Sequence, residues 1–341
     1  MFPYELYSSL IKPVMFMASA ETAHNFTLKM AQILQKKPLS GFFAQKVQYR
    51  PVDVMGLKFS NPLGLAAGMD KNGDAVDFFG GLGFGHIELG TVTPKPQPGN
   101  ARPRLFRVTA ARGLINRMGF NNNGVEYLIN NLRKRTYKGV VGVSVGKNES
   151  TPLEDAWKDY VYCYEKVYPY ADYVAVNISC PNTQELTQLQ QEDEFLKLIK
   201  PLKERQEQLS NEFSKYVPLV VKLSPDLFDS EIEALCNVCL AENVDGITCT
   251  NTTVSRTIIH GMVHANEWGG MSGEPLYMHS TRILSKVNTI VKGSIPLIGV
   301  GGVSGPISAR EKLYNGASLI QVLTGFVYQG PSIVKQIVNN L

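Results

Sequence analysis

Tyr173-Val-Ala-Val-Asn-Ile-Ser-Cys-Pro-Asn-Thr183 opens as an apolar, β-branched run and closes on two amides, a hydroxyl, a thiol and a proline. The opening has the composition of a strand buried on both faces, which is the signature of a parallel sheet covered by helices. Pro181 disfavours the helical region for Cys180, so the thiol sits on a turn beyond the strand end. Taken alone, a cysteine in that place is more often a buried core thiol than a reactive one. The rest of the chain decides between the two.

From Asn61 onward the same kind of run recurs. Apolar, strand-like segments occupy 62–67, 86–92, 140–145, 173–178, 219–223, 246–250, 296–300 and 319–324. Helix-like stretches separate them at 73–80, 123–135, 154–167, 191–215, 229–242, 277–292 and 306–315, and a last one covers 331–341. Start and stop signals punctuate several, such as Asp229-Ser230 before Glu231 and Gly316 after Asn315. Eight strands alternating with eight helices over about 280 residues predict an α/β chain folded as a (β/α)8 TIM barrel. An open doubly wound sheet is the competing arrangement.

Polar residues collect where these strands end. The ends read Ala67-Gly-Met-Asp-Lys71, Gly90-Thr-Val-Thr93, Ser144-Val-Gly-Lys147, Lys222-Leu-Ser224, Thr248-Cys-Thr-Asn251, Gly299-Val-Gly-Gly302 and Leu323-Thr-Gly325, besides the opening motif. The C-terminal face of a barrel carries its chemistry, and glycines after strands seven and eight let backbone N–H groups approach a phosphate. Any one such end can be ordinary turn chemistry, but eight together are not. A lysine inside an apolar strand is unfavourable unless paired or bound to an anion, which singles out Lys222. Asn116, Asn177, Asn182 and Asn251 offer donors and acceptors that could read a planar ring with C=O and N–H edges. Asn116 opens Asn116-Arg-Met-Gly-Phe-Asn121, placed in the long loop between strands two and three; asparagines there could equally cap turns.

Residues 1–40 differ from the repeat. Phe2, Tyr4, Leu6, Tyr7, Leu10 and Ile11 crowd a segment stopped by Pro13, and a second helix is expected from Ala20 to Lys36. Ala23, Phe26, Met30, Ile33 and Leu34 fall on one face of it. Such a pair, ending in Lys36-Lys37-Pro38, could cap the barrel or lie on a lipid surface. Residues 41–341 form the barrel domain.

Bulk properties narrow the class. With 341 residues, 44% hydrophobic, 19% charged and a net charge of +4, the chain has the balance of a soluble globular protein without the basic stripe of a nucleic-acid binder. No eighteen-residue apolar window is present to span a membrane, and no Arg-rich presequence opens the chain. Five cysteines, an odd number, read as free thiols in a reducing compartment. His260 with His264 and Cys236 with Cys239 lack further ligands at metal spacing, so no metal is expected. His24, near the apolar face of the second helix, reads as a structural histidine on the residues alone.

The motifs Asn61-Pro-Leu-Gly-Leu-Ala-Ala-Gly-Met-Asp-Lys71, Gly90-Thr-Val-Thr-Pro94, Pro103-Arg-Leu-Phe-Arg107, Asn116–Asn121, Asn177–Thr183, Thr250-Asn-Thr-Thr253 and Gly299–Gly302 resemble, in order, those of the dihydroorotate dehydrogenases. The helical extension resembles the quinone-dependent, membrane-associated class. The resemblance implies oxidation of (S)-dihydroorotate to orotate in pyrimidine synthesis, with one FMN per subunit as hydride acceptor and a membrane quinone as final acceptor. It places Ala67, Gly68, Met69, Asp70, Lys71, Thr91, Ser144, Asn177, Lys222, Thr250, Gly273, Gly302, Leu323 and Thr324 around FMN. Lys71, Asn116, Arg117, Met118, Gly119, Phe120, Asn177, Asn182, Asn251 and Thr252 would hold the pyrimidine, and Cys180 would be the catalytic base. His24 and Arg107 match the quinone site, the helices of residues 1–40 would form a lipid-facing channel, and 183–192 would be a lid. Peripheral attachment to the cytoplasmic side of a bacterial inner membrane follows from the class; the sequence sets no oligomeric state, and a monomer is admissible.

Three positions depart from that pattern. Cys180 stands where the quinone-linked class usually has serine, Ser144 where an asparagine contacts FMN, and Leu323 where a tyrosine often faces the quinone. Cysteine at the base position resembles the soluble class, so the same oxidation with a soluble acceptor such as fumarate is the alternative.

Overall fold

The computed structural model describes residues 5, 7–36, 41, 44–183 and 185–341. Phe2, Tyr4, Leu6, Lys37 and Pro38, named above for the extension, lie outside them. Eight parallel strands close into a barrel: β1 (Leu63–Leu65), β2 (His86–Val92), β3 (Val140–Val145), β4 (Tyr173–Asn177), β5 (Leu219–Leu223), β6 (Gly246–Cys249), β7 (Leu297–Val300) and β8 (Ala317–Val322). Each pairs with the next, and Ile320 of β8 opposite Leu63 of β1 completes the ring. The closed ring excludes the open doubly wound sheet. The register puts Lys222 level with Asn177 on one side and Thr248 on the other, so three polar side chains share one tier near the C-terminal rim.

Helices cover the outside, and their apolar faces show why. On Ala156–Val167, Tyr160 and Tyr164 recur one turn apart, and Tyr168 follows at the next turn, just past the helix end; all three are fully buried. Burying each aromatic body contributes about 1.5–3 kcal/mol. Their hydroxyls avoid the penalty of burial by donating to the carbonyls of Asn177, at 2.8 Å, Val217, at 2.8 Å, and Lys215. Tyr160 thereby fastens the end of β4, from which the opening motif departs.

Several elements were not foreseen. Val52–Val54 and Leu57–Phe59 form a hairpin whose Val54 and Phe59 pack with Tyr173, Ala175, Val220 and Ile298, closing the bottom of the barrel. Its turn, Met55-Gly56, has φ of 55° and 72°, the conformation of a type I′ turn. Leu105–Val108, Gly113–Asn116 and Gly270–Gly273 form an antiparallel sheet, so Asn116 ends a strand rather than lying in a loop. The eighth strand stops at Val322: Leu323 leaves it, and Thr324 opens a short helix, Thr324–Gln329. A Cβ on Gly325 would meet the Val303 carbonyl at 2.3 Å, so only glycine lets the chain turn in against the loop after β7.

The extension is helical, but Pro13 does not stop it. Proline needs no donor in a first helical turn, and Pro13 sits there in α1 (Lys12–Met17), preceded by a π-helical turn at Tyr7–Ile11. Ser19 caps α2 (Ala20–Leu34) by accepting the Thr22 N–H at 3.2 Å. The pair docks through polar contacts. Arg104 grips the Glu21 carboxylate at 2.8 Å, Arg102 reaches it at 3.1 Å, and Arg107 donates to the Ala18 carbonyl at 2.7 Å. Tyr7 donates to Val327 O at 2.6 Å. Phe26, Met30 and Ile33 are exposed. No helix among the described residues is long and apolar enough to cross a membrane.

Candidate active site and acceptor channel

One cavity of about 590 Å3 runs from the C-terminal rim of the barrel to the underside of α1 and α2. Its inner wall brings together most of the residues named from the sequence. Ala67, Gly68, Met69, Lys71 and Thr91 come from the ends of β1 and β2, and Met118, Gly119 and Phe120 from the loop after Asn116. Asn177, Cys180, Asn182, Lys222, Thr250, Asn251 and Thr252 line its middle, with Gly273, Gly302, Leu323 and Thr324 on the far side. His24 and Arg107 line the outer end beside Phe16, Phe26 and Met30.

The amides are wired to one another. Asn182 Nδ2 donates to Asn116 Oδ1 at 3.0 Å, and Asn251 Nδ2 to Asn177 Oδ1 at 3.0 Å, while Asn177 Nδ2 donates to Thr91 Oγ1 at 2.8 Å. The buried Oδ1 of Asn182 has no partner, so the cavity presents an acceptor ready for a ligand N–H. Cations outnumber anions here: Lys71 and Lys222 face the cavity, with Arg107 at its outer end. Burial, and then the Arg104 charge, push Lys71 down to about 8, against the pull of Glu21 and Asp70. Lys222 has the carboxylate of Glu88 at 3.9 Å.

Cys180 is buried at the middle of this wall. Burial pushes its thiol above the ordinary range; the Asn182 N–H, the Thr183 hydroxyl and the Lys222 charge pull it back without cancelling the rise. All five cysteines are free. Burial, followed by the Lys71 charge, takes His24 down to about 3, so its imidazole is neutral at physiological pH.

Three residues named from the resemblance stand off the cavity wall. The Asp70 carboxylate accepts the N–H groups of Asp74 and Ala75, at 2.8 Å each, and shapes the turn after β1. Ser144 lies behind Thr91, with their hydroxyls 2.9 Å apart. Arg117 turns outward to Glu267, at 2.6 Å, and stacks on Phe106 and Trp268. Asp70 and Ser144 thus support the wall, and Arg117 fastens the outer sheet to the 253–269 segment. Conversely, Ser272, Val303 and Gln321 line the cavity without having been named. Gln321 belongs to a buried strand, where its apolar neighbours concealed it.

The cavity has the chemistry of a cofactor site. Gly302 at φ 75° bends the loop after β7, and a Cβ there would lie 2.3 Å from Tyr277 Cα. This leaves backbone at the wall in the phosphate-binding position of a barrel, while amides and lysines opposite suit a ring with polar edges and an anionic substrate. The fold and site therefore define a (β/α)8 barrel protein with a cavity suited to a phosphate-bearing cofactor beside an anionic, polar-edged ligand.

Comparison with known proteins narrows the class. The dihydroorotate dehydrogenase family profile matches residues 50–341, and the chain belongs to that family. It is 51% identical to the dihydroorotate dehydrogenase (quinone) of Psychromonas ingrahamii over 98% of this chain and all of the relative. For the enzyme of the same description from Vibrio parahaemolyticus the identity is 49%, over 96% of this chain and 97% of the relative. The crystal structure of the Eimeria tenella enzyme in complex with ferulenol superposes with a TM-score of 0.87 at 33% identity, covering 94% of this chain and 90% of that one. The chain is thus an oxidoreductase whose relatives form the quinone-dependent branch.

Proposed function

We propose that this chain holds FMN in the inner part of the cavity, oxidises (S)-dihydroorotate to orotate against it, and releases the electrons to a membrane quinone entering beneath α1 and α2. The single observation that supports this most is continuity: the cavity that holds Cys180 and Lys71 also opens between the N-terminal helices, where His24 and Arg107 stand. FMN, when bound, supplies a hydride acceptor that can be reoxidised; the rest is done by the chain.

Lys71 and the linked amides of Asn116, Asn182, Asn177 and Asn251 orient the pyrimidine and its carboxylate. Cys180, as thiolate, would take the C5 proton while a hydride leaves C6 for the bound acceptor, so the substrate loses one proton and one hydride, two hydrogens and two electrons in all, and gains its C5–C6 double bond. Lys222 faces negative charge that grows as the substrate is oxidised. Leu186 and Leu189 in the 183–192 segment are buried, and Gln190 accepts the Ser224 N–H at 2.9 Å, a seat against which a water-excluding lid can close. The exposed Leu10, Val14, Met17, Phe26 and Ile33 suit peripheral contact with a lipid surface, on the cytoplasmic side where the soluble substrate resides.

Purified protein is expected to be yellow and to bleach with dihydroorotate without oxygen. Deleting residues 1–40 should abolish quinone reduction while a soluble dye is still reduced. Colourless protein, or deletion that leaves quinone turnover intact, would sink the proposal. Cys180 favours a second acceptor, fumarate, and steady-state rates with fumarate beside a quinone panel decide between them.

A further inference from the structure

Below the cavity floor, inside the barrel, lies a charged side chain to which the proposed chemistry gives no task. Glu88 is the third residue of β2 and only 1% exposed. Its Oε2 accepts from the Tyr173 hydroxyl at 3.0 Å and from Gln321 Nε2 at 2.9 Å. Its Oε1 has no hydrogen-bond partner and lies 3.9 Å from Lys222 Nζ. Around it, burial drives His86 down to about 3, leaving that ring neutral, and raises the Tyr173 hydroxyl well above its ordinary value, Glu88 adding to the rise. Lys222 and Gln321 line the cavity, and Glu88 does not.

A buried carboxylate with one oxygen saturated by two donors and the other left bare toward a lysine is held in a fixed orientation. Inside a protein the field of such a charge is weakly screened. Lys222 is the cation that favours reduction of the bound cofactor, and a carboxylate just behind it subtracts from that field.

We infer that Glu88 is a positioning residue that sets the redox poise of the cofactor by partly neutralising Lys222, with Tyr173 and Gln321 fixing its carboxylate. The inference rests on the proposed FMN site. It assigns the buried quartet of Glu88, Lys222, Tyr173 and Gln321 to tuning: the potential is kept low enough for electrons to pass onward to the acceptor.

The test is spectroelectrochemical titration of the flavin in the purified holoenzyme, with FMN content and melting temperature measured alongside. Glu88→Gln should shift the two-electron equilibrium about tenfold toward the reduced form, which is an upward shift of about 30 mV. Glu88→Asp, which keeps the charge, should lie between wild type and Glu88→Gln. Removing one partner of a buried pair can prevent folding, so a second comparison is needed. Lys222→Met leaves Glu88 uncompensated and should lower the potential; Lys222→Met with Glu88→Gln should recover part of the loss. Equal potentials in wild type and Glu88→Gln, or in the single and double Lys222 variants, overturn the inference while leaving the flavin site standing. Wild-type protein that holds no flavin overturns the proposed function and this inference with it.

Discussion

Cys180→Ser is the substitution that most directly separates the buried thiol from its polar surroundings. Burial raises the thiol above its ordinary value of 9.0, and the Asn182 N–H, the Thr183 hydroxyl and the Lys222 charge do not bring it back. At pH 7 the raised thiol is therefore predominantly protonated, and the thiolate that must act as base is the minor form. A base that must be ionised to act then gains about tenfold in active fraction for each pH unit, and the rate of anaerobic flavin bleaching should climb from pH 6 past pH 9 without levelling. Serine is far less acidic than a thiol. Cys180→Ser should be slower at neutral pH with its ascending limb moved higher still, and Cys180→Ala should lose about 10²–10⁴-fold, the usual worth of a positioned base. Stopped-flow bleaching of wild type and both variants across pH 6–10 supplies the profile. A wild-type plateau below pH 8, or a Cys180→Ser limb that coincides with wild type, would refute the assignment of the base.

Other outcomes follow from the same geometry. Lys71, lowered to about 8, loses its charge as pH rises through that value, so KM for dihydroorotate should rise above about pH 8 while the rate at saturating substrate still follows Cys180, and Lys71→Met should be weak at every pH in steady-state assays. Tyr160→Phe removes the donor to Asn177 O and should cost about 1–3 kcal/mol in chemical denaturation, with a lower kcat because the end of β4 loosens. His24, near 3, is neutral across the working range, so its contribution to quinone turnover should show no titration between pH 5 and 9.

Much of the barrel was legible because parallel strands buried on both faces leave uninterrupted apolar runs. His86–Val92, Val140–Val145 and Leu219–Leu223 coincide with the expected segments to the residue. The exceptions had weak signals. Met55-Gly56 lacks the Asn-Gly or Asp-Gly of a recognisable hairpin turn, and the strands it joins are three residues each. The antiparallel sheet brings Gly113–Asn116 together with Gly270–Gly273 across more than half the barrel, a pairing that no local pattern encodes. At the site, strand-end motifs identified which residues meet but not which way they face. Asp70 is spent on backbone N–H groups and Arg117 on Glu267, and both engagements depend on tertiary neighbours. Glu88 and Gln321 escaped because each lies within a strand rather than in a strand-end motif, and their significance rests on a contact 233 residues apart in sequence.

The extension shows why pattern alone left its role open. An amphipathic helix ordinarily turns its apolar face to the protein, which would make α2 a plain cap. Here Ala23 and Ala31 are the small apolar residues buried inward, Glu21 is buried with them, and Phe26, Met30 and Ile33 are left exposed. Docking is consequently polar and concentrated at Glu21, whose carboxylate takes three arginine N–H contacts from Arg104 at 2.8–3.2 Å. Burial alone would raise Glu21, yet the Arg104 hydrogen bond and the charges of Arg104, Arg102 and Lys71 outweigh it and leave its carboxyl lowered. A lowered carboxylate contributes its docking energy above the unfolded value of 4.5 and loses it as pH falls through the lower folded value. Glu21→Ala strands Arg104 in a buried site, which for a buried pair costs about 3–5 kcal/mol. Part of that loss can be relieved by α1 and α2 lifting from the barrel. The variant should then reduce a soluble dye near the wild-type rate, lose quinone turnover, and be cleaved by protease within residues 7–36 far faster than wild type. If quinone turnover and protease resistance both persist, the ion pair does not hold the channel in place, and the remaining contacts, those of Arg107 with Ala18 and Tyr7 with Val327 among them, suffice.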